Sequence, residues 1–189
     1  MKLLFFVFVS LVFAQTPLRQ FIVEEDYFRG FKAREFSIYY PTKDDLKYRI
    51  ESSWFFHNSI RLDIYPSKKT IGKLSSSKKG QTYRATLKIR SENNKKWIKG
   101  QIQQHHRLLG QNWTIQWNGS NISMISEPAS LVTSFYDDQT LLARFRLRLQ
   151  SFLWVNLYDI EFFTDQLPDS IFLLSLALKD HVSQWKTTN

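Results

Sequence analysis

Cysteine is absent from this 189-residue chain. That absence excludes disulfides, thiol catalysis and zinc sites built on cysteine. Glycine and proline are scarce, at 6 and 5 residues, and they form no phosphate-cradling glycine loop and no flexible linker. There is no Gly-x-Ser-x-Gly elbow and no His-Glu-x-x-His helix. Histidine is limited to His57, His105, His106 and His181. His105 and His106 are adjacent, so on a strand they point to opposite faces and do not share a metal. A glycosidase carboxylate pair is set by spatial separation and has no sequence motif. No enzyme activity, cofactor or metal is expected.

Long hydrophobic runs are also few. Met1-Lys2 is followed by an apolar stretch reaching Ala14. Its length, about 11 residues, falls short of the roughly 20 that span a bilayer. One basic residue, the apolar core and a Val-x-Ala end form a signal-peptide pattern, with cleavage expected after Ala14 and secretion as its consequence. Three sequons lie close together, at Asn112-Trp113-Thr114, Asn118-Gly119-Ser120 and Asn121-Ile122-Ser123. In a secreted glycoprotein they would place that segment at the surface. Without disulfides, stability must come from apolar burial, which 16 Phe, 8 Tyr and 6 Trp can supply.

What the chain does have is alternation. Residues 15–24 read as an exposed lead-in. Phe36–Tyr40 and Leu46–Glu51 flank a Pro/Asp turn and predict a hairpin. Ser59–Tyr65 and Ile71–Leu74 predict a second, with Lys68, Lys69, Lys78 and Lys79 in turns. Tyr83–Arg90 alternates apolar and basic residues, and Trp97–Gln103 continues the pattern. Trp113–Trp117 and Ile122–Ile125 flank Asn118-Gly119, a strong hairpin turn. Leu141–Leu149 alternates Phe145, Leu147 and Leu149 with Arg144, Arg146 and Arg148. Asp137-Asp138 reads as the turn before it. Trp154–Phe163 is the last predicted strand.

One helix follows. Pro168 suits a first helical turn, and Asp169 complements the positive end of the dipole. Ile171 to Leu178 is apolar on nearly every side, so this helix must be buried on every side. Residues 25–184 therefore predict a single mainly β domain: a closed antiparallel barrel with a hydrophobic C-terminal helix, over 168–182, in its bore. Residues 185–189 form a tail.

The pattern Phe36-x-Ile38, Asp45-Leu46-x-Tyr48-x-Ile50, Leu62-x-Ile64 and Ile71-Gly72-x-Leu74, with a terminal helix ending in Leu178-Lys179-Asp180, resembles the LURP-one-related proteins. These belong to the tubby C-terminal-like superfamily, which includes the phospholipid scramblases. The resemblance spans about residues 20–184. It implies a β-barrel of about twelve strands around the terminal helix, without enzymatic activity. It also implies anionic lipid as a partner, since tubby domains bind phosphoinositides and scramblases associate with anionic lipid and calcium. Asp159, Glu161 and Asp165 precede the helix as an acidic segment does in scramblases, at a different spacing. The leader and the lack of a cysteine-rich lipidated segment set this chain apart.

Charge is the clearest functional signal. Residues 61–107 hold 13 Lys+Arg against Asp63 and Glu92, a net of +11 in a chain of net +9. The candidate anion-binding residues are Lys68, Lys69, Lys73, Lys78, Lys79, Arg84, Lys88, Arg90, Lys95, Lys96 and Lys99. Arg84, Lys88 and Arg90 share one strand face. Phospholipid headgroups or sulfated glycans are the expected ligands. The competing expectations are a solvated outer face on a protein-interaction or structural module, and a scramblase-like lipid-associated protein. No recognition helix, zinc finger or RNA-binding aromatic motif is present, so sequence-specific nucleic-acid reading is not expected.

Overall fold

A computed structural model of the chain describes residues 15–26, 35–52, 59–79, 82–91, 95–105, 111–127, 130–152 and 155–187. The side chains of Lys78, Lys79, Gln111, Gln150, Phe152 and 184–187 lie outside this description. The expected leader, His57, His106 and Glu92 do as well.

Twelve strands form one closed antiparallel barrel. They are β1 (Arg19–Glu25), β2 (Phe36–Tyr39), β3 (Leu46–Ser52), β4 (Ser59–Ile64), β5 (Lys69–Lys79) and β6 (Thr82–Arg90). Then come β7 (Trp97–His105), β8 (Gln111–Trp117), β9 (Ser120–Ser126), β10 (Val132–Asp137), β11 (Thr140–Leu147) and β12 (Leu157–Phe162). Each strand pairs with its neighbours in sequence, and β1 pairs with β12 to close the ring, Arg19 opposite Phe162 and Val23 opposite Tyr158. Closure leaves no strand edge unpaired.

The alternation read from the sequence is the alternation of the wall. In β6, Tyr83, Ala85, Leu87 and Ile89 are buried inward while Arg84, Thr86 and Lys88 are exposed. In β8 and β9, Trp113, Ile115, Trp117, Ile122 and Met124 face the bore around the Asn118-Gly119 turn, both residues of which have positive φ.

The helix α1 (Asp169–Thr187) fills the bore. Ile171 to Leu178 are all buried. Phe172 meets Phe135 of β10 and Phe162 of β12 at ring-centroid distances of 5.2 and 5.6 Å. On the other side of the helix, a Cβ at Gly72 of β5 would stand 2.9 Å from Leu174 Cδ1. Contacts to opposite walls place α1 inside the ring. Glycine at position 72 is what lets the helix approach β5 so closely. Among the described residues no helix is long and apolar enough to cross a membrane.

Several sequence expectations change. Residues 15–24 hold most of β1, with Phe21, Ile22 and Val23 buried, because β2 and β12 supply its ladder partners from both sides. Thr133 and Phe135 mark β10, which the sequence reading passed over. The β5 strand starts at Lys69 and runs on to Lys79 beside β6, so of Lys68, Lys69, Lys78 and Lys79 only Lys68 stands in a turn. The β11 strand ends at Leu147; Arg148 lies beyond it, and Leu149 is 72% exposed in a short 3-10 turn, Leu149–Phe152. The final strand starts at Leu157, and α1 extends to Thr187.

Candidate functional site

The two ends of the barrel differ. Strands β4, β6 and β8 finish, and β5, β7 and β9 start, at the end where α1 begins. This end, the mouth, carries the β4–β5 turn, the β6–β7 connection and the segment leading into the helix. The opposite end receives the C-terminal part of α1.

Basic residues are distributed unevenly around the wall. Four arginines on it are matched. Arg49 pairs with Asp26, Glu35 and Glu51 at 2.6, 3.6 and 3.1 Å. Arg61 pairs with Glu51 and Asp63. Arg144 sits opposite Glu161 in register and pairs with it at 3.6 Å. Arg148 holds Asp159 through both Nε and an Nη. Asp159 and Glu161 thus share a face, as expected, and each is engaged by an arginine. Asp165 lies apart, in the segment leading into α1. Among the described residues no group of three or more acidic or histidine side chains is gathered as a metal site.

The outer face of β5, β6 and β7 breaks this rule. Lys73 stands opposite Lys88, and Lys88 opposite Lys99. Adjacent strands lie about 4.8 Å apart, so the three stems leave the wall within about 10 Å. All three are exposed, and none has a carboxylate partner among the described residues. Lys73 Nζ lies 5.4 Å from the ring centroid of Trp97, whose indole is 40% exposed at the start of β7. Directly opposed like charges destabilise a ladder by a few tenths to about 1 kcal/mol. A row of three imposes that cost twice.

The remaining candidate residues divide between the ends. Lys68, Lys69, Lys95 and Lys96 are exposed around the mouth. Lys68 and Lys95 have φ of 53° and 55°, where glycine or asparagine would sit with less strain. Arg84 is exposed toward the other end, opposite Ser77 and Gln103. Lys78 and Lys79 end β5, roughly 30 Å along the strand from Lys69 at about 3.3 Å per residue. The sequence-defined basic segment is therefore not one patch. Of the sequons, Asn118 and Asn121 are exposed beside the mouth, and Asn112 is half-buried near the opposite end of β8.

Arg90 is different again. It ends β6 at the mouth, opposite Trp97. Its Nε is buried without a hydrogen-bond partner. It borders a recess of about 570 Å³ between the strand ends and the start of the helix. Ile64, Ile71, Ile89, Ile98, Trp117 and Leu167 line that recess. Trp117 lies directly on the backbone of β7: a Cβ at Gly100 would fall 2.7 Å from its ring. On one side of the recess, Asp169 accepts hydrogen bonds from Arg19 at 2.8 Å and from the Tyr48 hydroxyl at 3.3 Å. Burial, reinforced by the Asp169 carboxylate, pushes the Tyr48 phenol well above its ordinary range and keeps it a neutral donor. Sequence reasoning grouped Arg90 with the surface lysines. Nothing local in the sequence marks the recess, which is built by seven strands and the connection before α1.

At the far end of the bore, Lys179 donates to Thr133 Oγ1 at 2.6 Å, and Thr133 shares a hydrogen bond with Ser126 at 2.8 Å. The Tyr158 hydroxyl donates to Asp180 at 3.0 Å. Burial lowers the pKa of the Lys179 ammonium, opposed by Asp180. Burial also lowers that of His181.

Compared with protein-family models, curated proteins and solved structures, the chain matches none.

Proposed function

We propose that the barrel is a non-enzymatic module that docks on anionic surfaces through the outer face of β5–β7. The observation that carries this reading is the row Lys73, Lys88 and Lys99, in register across three strands and without carboxylate partners among the described residues, whereas Arg49, Arg61, Arg144 and Arg148 elsewhere on the wall are ion-paired. Repulsion within such a row is relieved when a surface of closely spaced phosphates or sulfates lies over it. Trp97 beside Lys73 adds an aromatic ring of the kind that settles at a lipid–water boundary. Lys68, Lys69, Lys95 and Lys96 extend the positive field toward the mouth. The superfamily resemblance belongs to the same proposal, since a barrel around a terminal helix and an anionic-lipid partner are what it implies.

Each lysine near an anionic bilayer contributes about 1 kcal/mol. Reversing Lys73, Lys88 and Lys99 together to Glu should therefore weaken binding to phosphatidylserine vesicles by over a hundredfold, from the loss of about 3 kcal/mol of attraction. The side chains point outward, so the melting temperature should hold. Binding should also fade as salt shortens the screening length from about 10 Å at 0.1 M to about 3 Å at 1 M. Heparin run in parallel separates the two sources of anion. Vesicle binding that survives both high salt and the triple reversal would defeat the proposal.

A further inference from the structure

We infer that the recess at the barrel mouth binds a single-chain amphipathic acid, with its carboxylate on Arg90 and its acyl chain against Ile71, Ile89, Ile98, Trp117 and Leu167. This site is separate from the lysine row and does not rest on it.

The bore is filled by α1 up to its first turn, but short of the β4–β8 strand ends a volume of about 570 Å³ stays open. That is the size range of small-molecule sites, which are mostly apolar with a few convergent polar groups. Five branched aliphatic side chains and one indole share its wall with polar residues such as Arg19, Ser91, Gln166 and Asp169, and water lying against the aliphatic ones finds few hydrogen-bond partners. An apolar chain displaces such water favourably.

Arg90 then sets the chemistry of the other end of the ligand. Its guanidinium has neither a hydrogen bond nor an ion pair among the described residues, in contrast to Arg19, Arg49, Arg61, Arg144 and Arg148. Its Nε is out of reach of solvent, and so of a guest, and what Arg90 offers the recess it lines is the rest of its guanidinium. A guanidinium that lines the recess without an ion pair among the described residues is a charged donor, and a carboxylate answers it well. Asp165 and Asp169 also line the recess. Asp169 is already matched by Arg19. Asp165, the one lining carboxylate without an ion pair among the described residues, repels a multiply charged phosphate headgroup more than a monoanion.

The test uses the protein with ω-bromoundecanoate kept below its micelle concentration. Bromine quenches an indole on contact, and Trp117 lines the recess. Saturable quenching is expected. Trp117→Phe should remove most of the quenching while calorimetry still registers binding. Losing a charge-assisted hydrogen bond through Arg90→Gln should weaken binding about tenfold or more with no change in melting temperature. Ile98→Trp should fill the space and abolish binding. The Lys73, Lys88 and Lys99 reversal should leave it intact, which keeps this site distinct from surface docking. Three results would overturn the inference: no saturable quenching, equal affinity for the corresponding bromo-alcohol, or affinity indifferent to Arg90→Gln.

Discussion

At the scale of single residues, the most consequential positions are polar ones placed where the wall is otherwise apolar. His181 is buried near the C-terminal part of α1, on the helix that also carries Lys179 and Asp180. Burial disfavours its charged form, so its folded-state pKa lies below its ordinary value near 6.5. As the pH falls through about 6.5, the unfolded chain takes up a proton that the folded one refuses. Stability attributable to His181 is therefore present above that pH and is lost below it. Urea midpoints measured between pH 7.5 and pH 5.5 should fall more steeply for the native chain than for His181→Gln; parallel slopes would remove His181 from the account. Gly100 shows the opposite kind of control. The missing side chain there is what seats the Trp117 indole against β7.

The elements divide into those whose evidence is local and those whose evidence is distant. The helix α1 was legible because an apolar run exposed on no side has only one place to go. Changing Leu174, fully buried against Gly72, to Asp would place an unmatched charge inside the ring. No cooperative thermal transition is expected from that variant, and a wild-type melting curve would put the helix outside the bore. The β2–β3, β4–β5 and β8–β9 hairpins were legible because each is two alternating runs around a short turn. The β1 strand was not, since neither partner reaches it through a tight turn: β12 arrives from the far end of the chain. The β10 strand hid behind Thr133 and Ser134, polar residues whose side chains the wall accepts because Ser126 and Lys179 bond Thr133. The candidate site was half legible for the same reason. Composition revealed the excess of cations over 61–107. Only strand register shows that Arg61 has Glu51 opposite it on β3, while Lys73 has Lys88 opposite it on β6.

The whole molecule is a ring drawn shut by its first and last strands around a helix that follows all twelve. This order has a consequence for the chain as it is made. Synthesis runs from the N-terminus, so every strand leaves the ribosome before the segment that fills the bore. Until Ile171–Leu178 emerges, the inward faces of β4, β6, β8 and β10 have only one another to cover them. Pairings spanning most of the chain also delay closure, because distant contacts form slowly. The nascent barrel should thus stay open, protease-sensitive and dependent on holding factors until α1 is released. Stalled chains ending at Leu167 should be digested rapidly. Chains stalled beyond Asn189, on a linker long enough to clear the exit tunnel, should resist digestion. Fold completion here waits on the helix rather than on the strands.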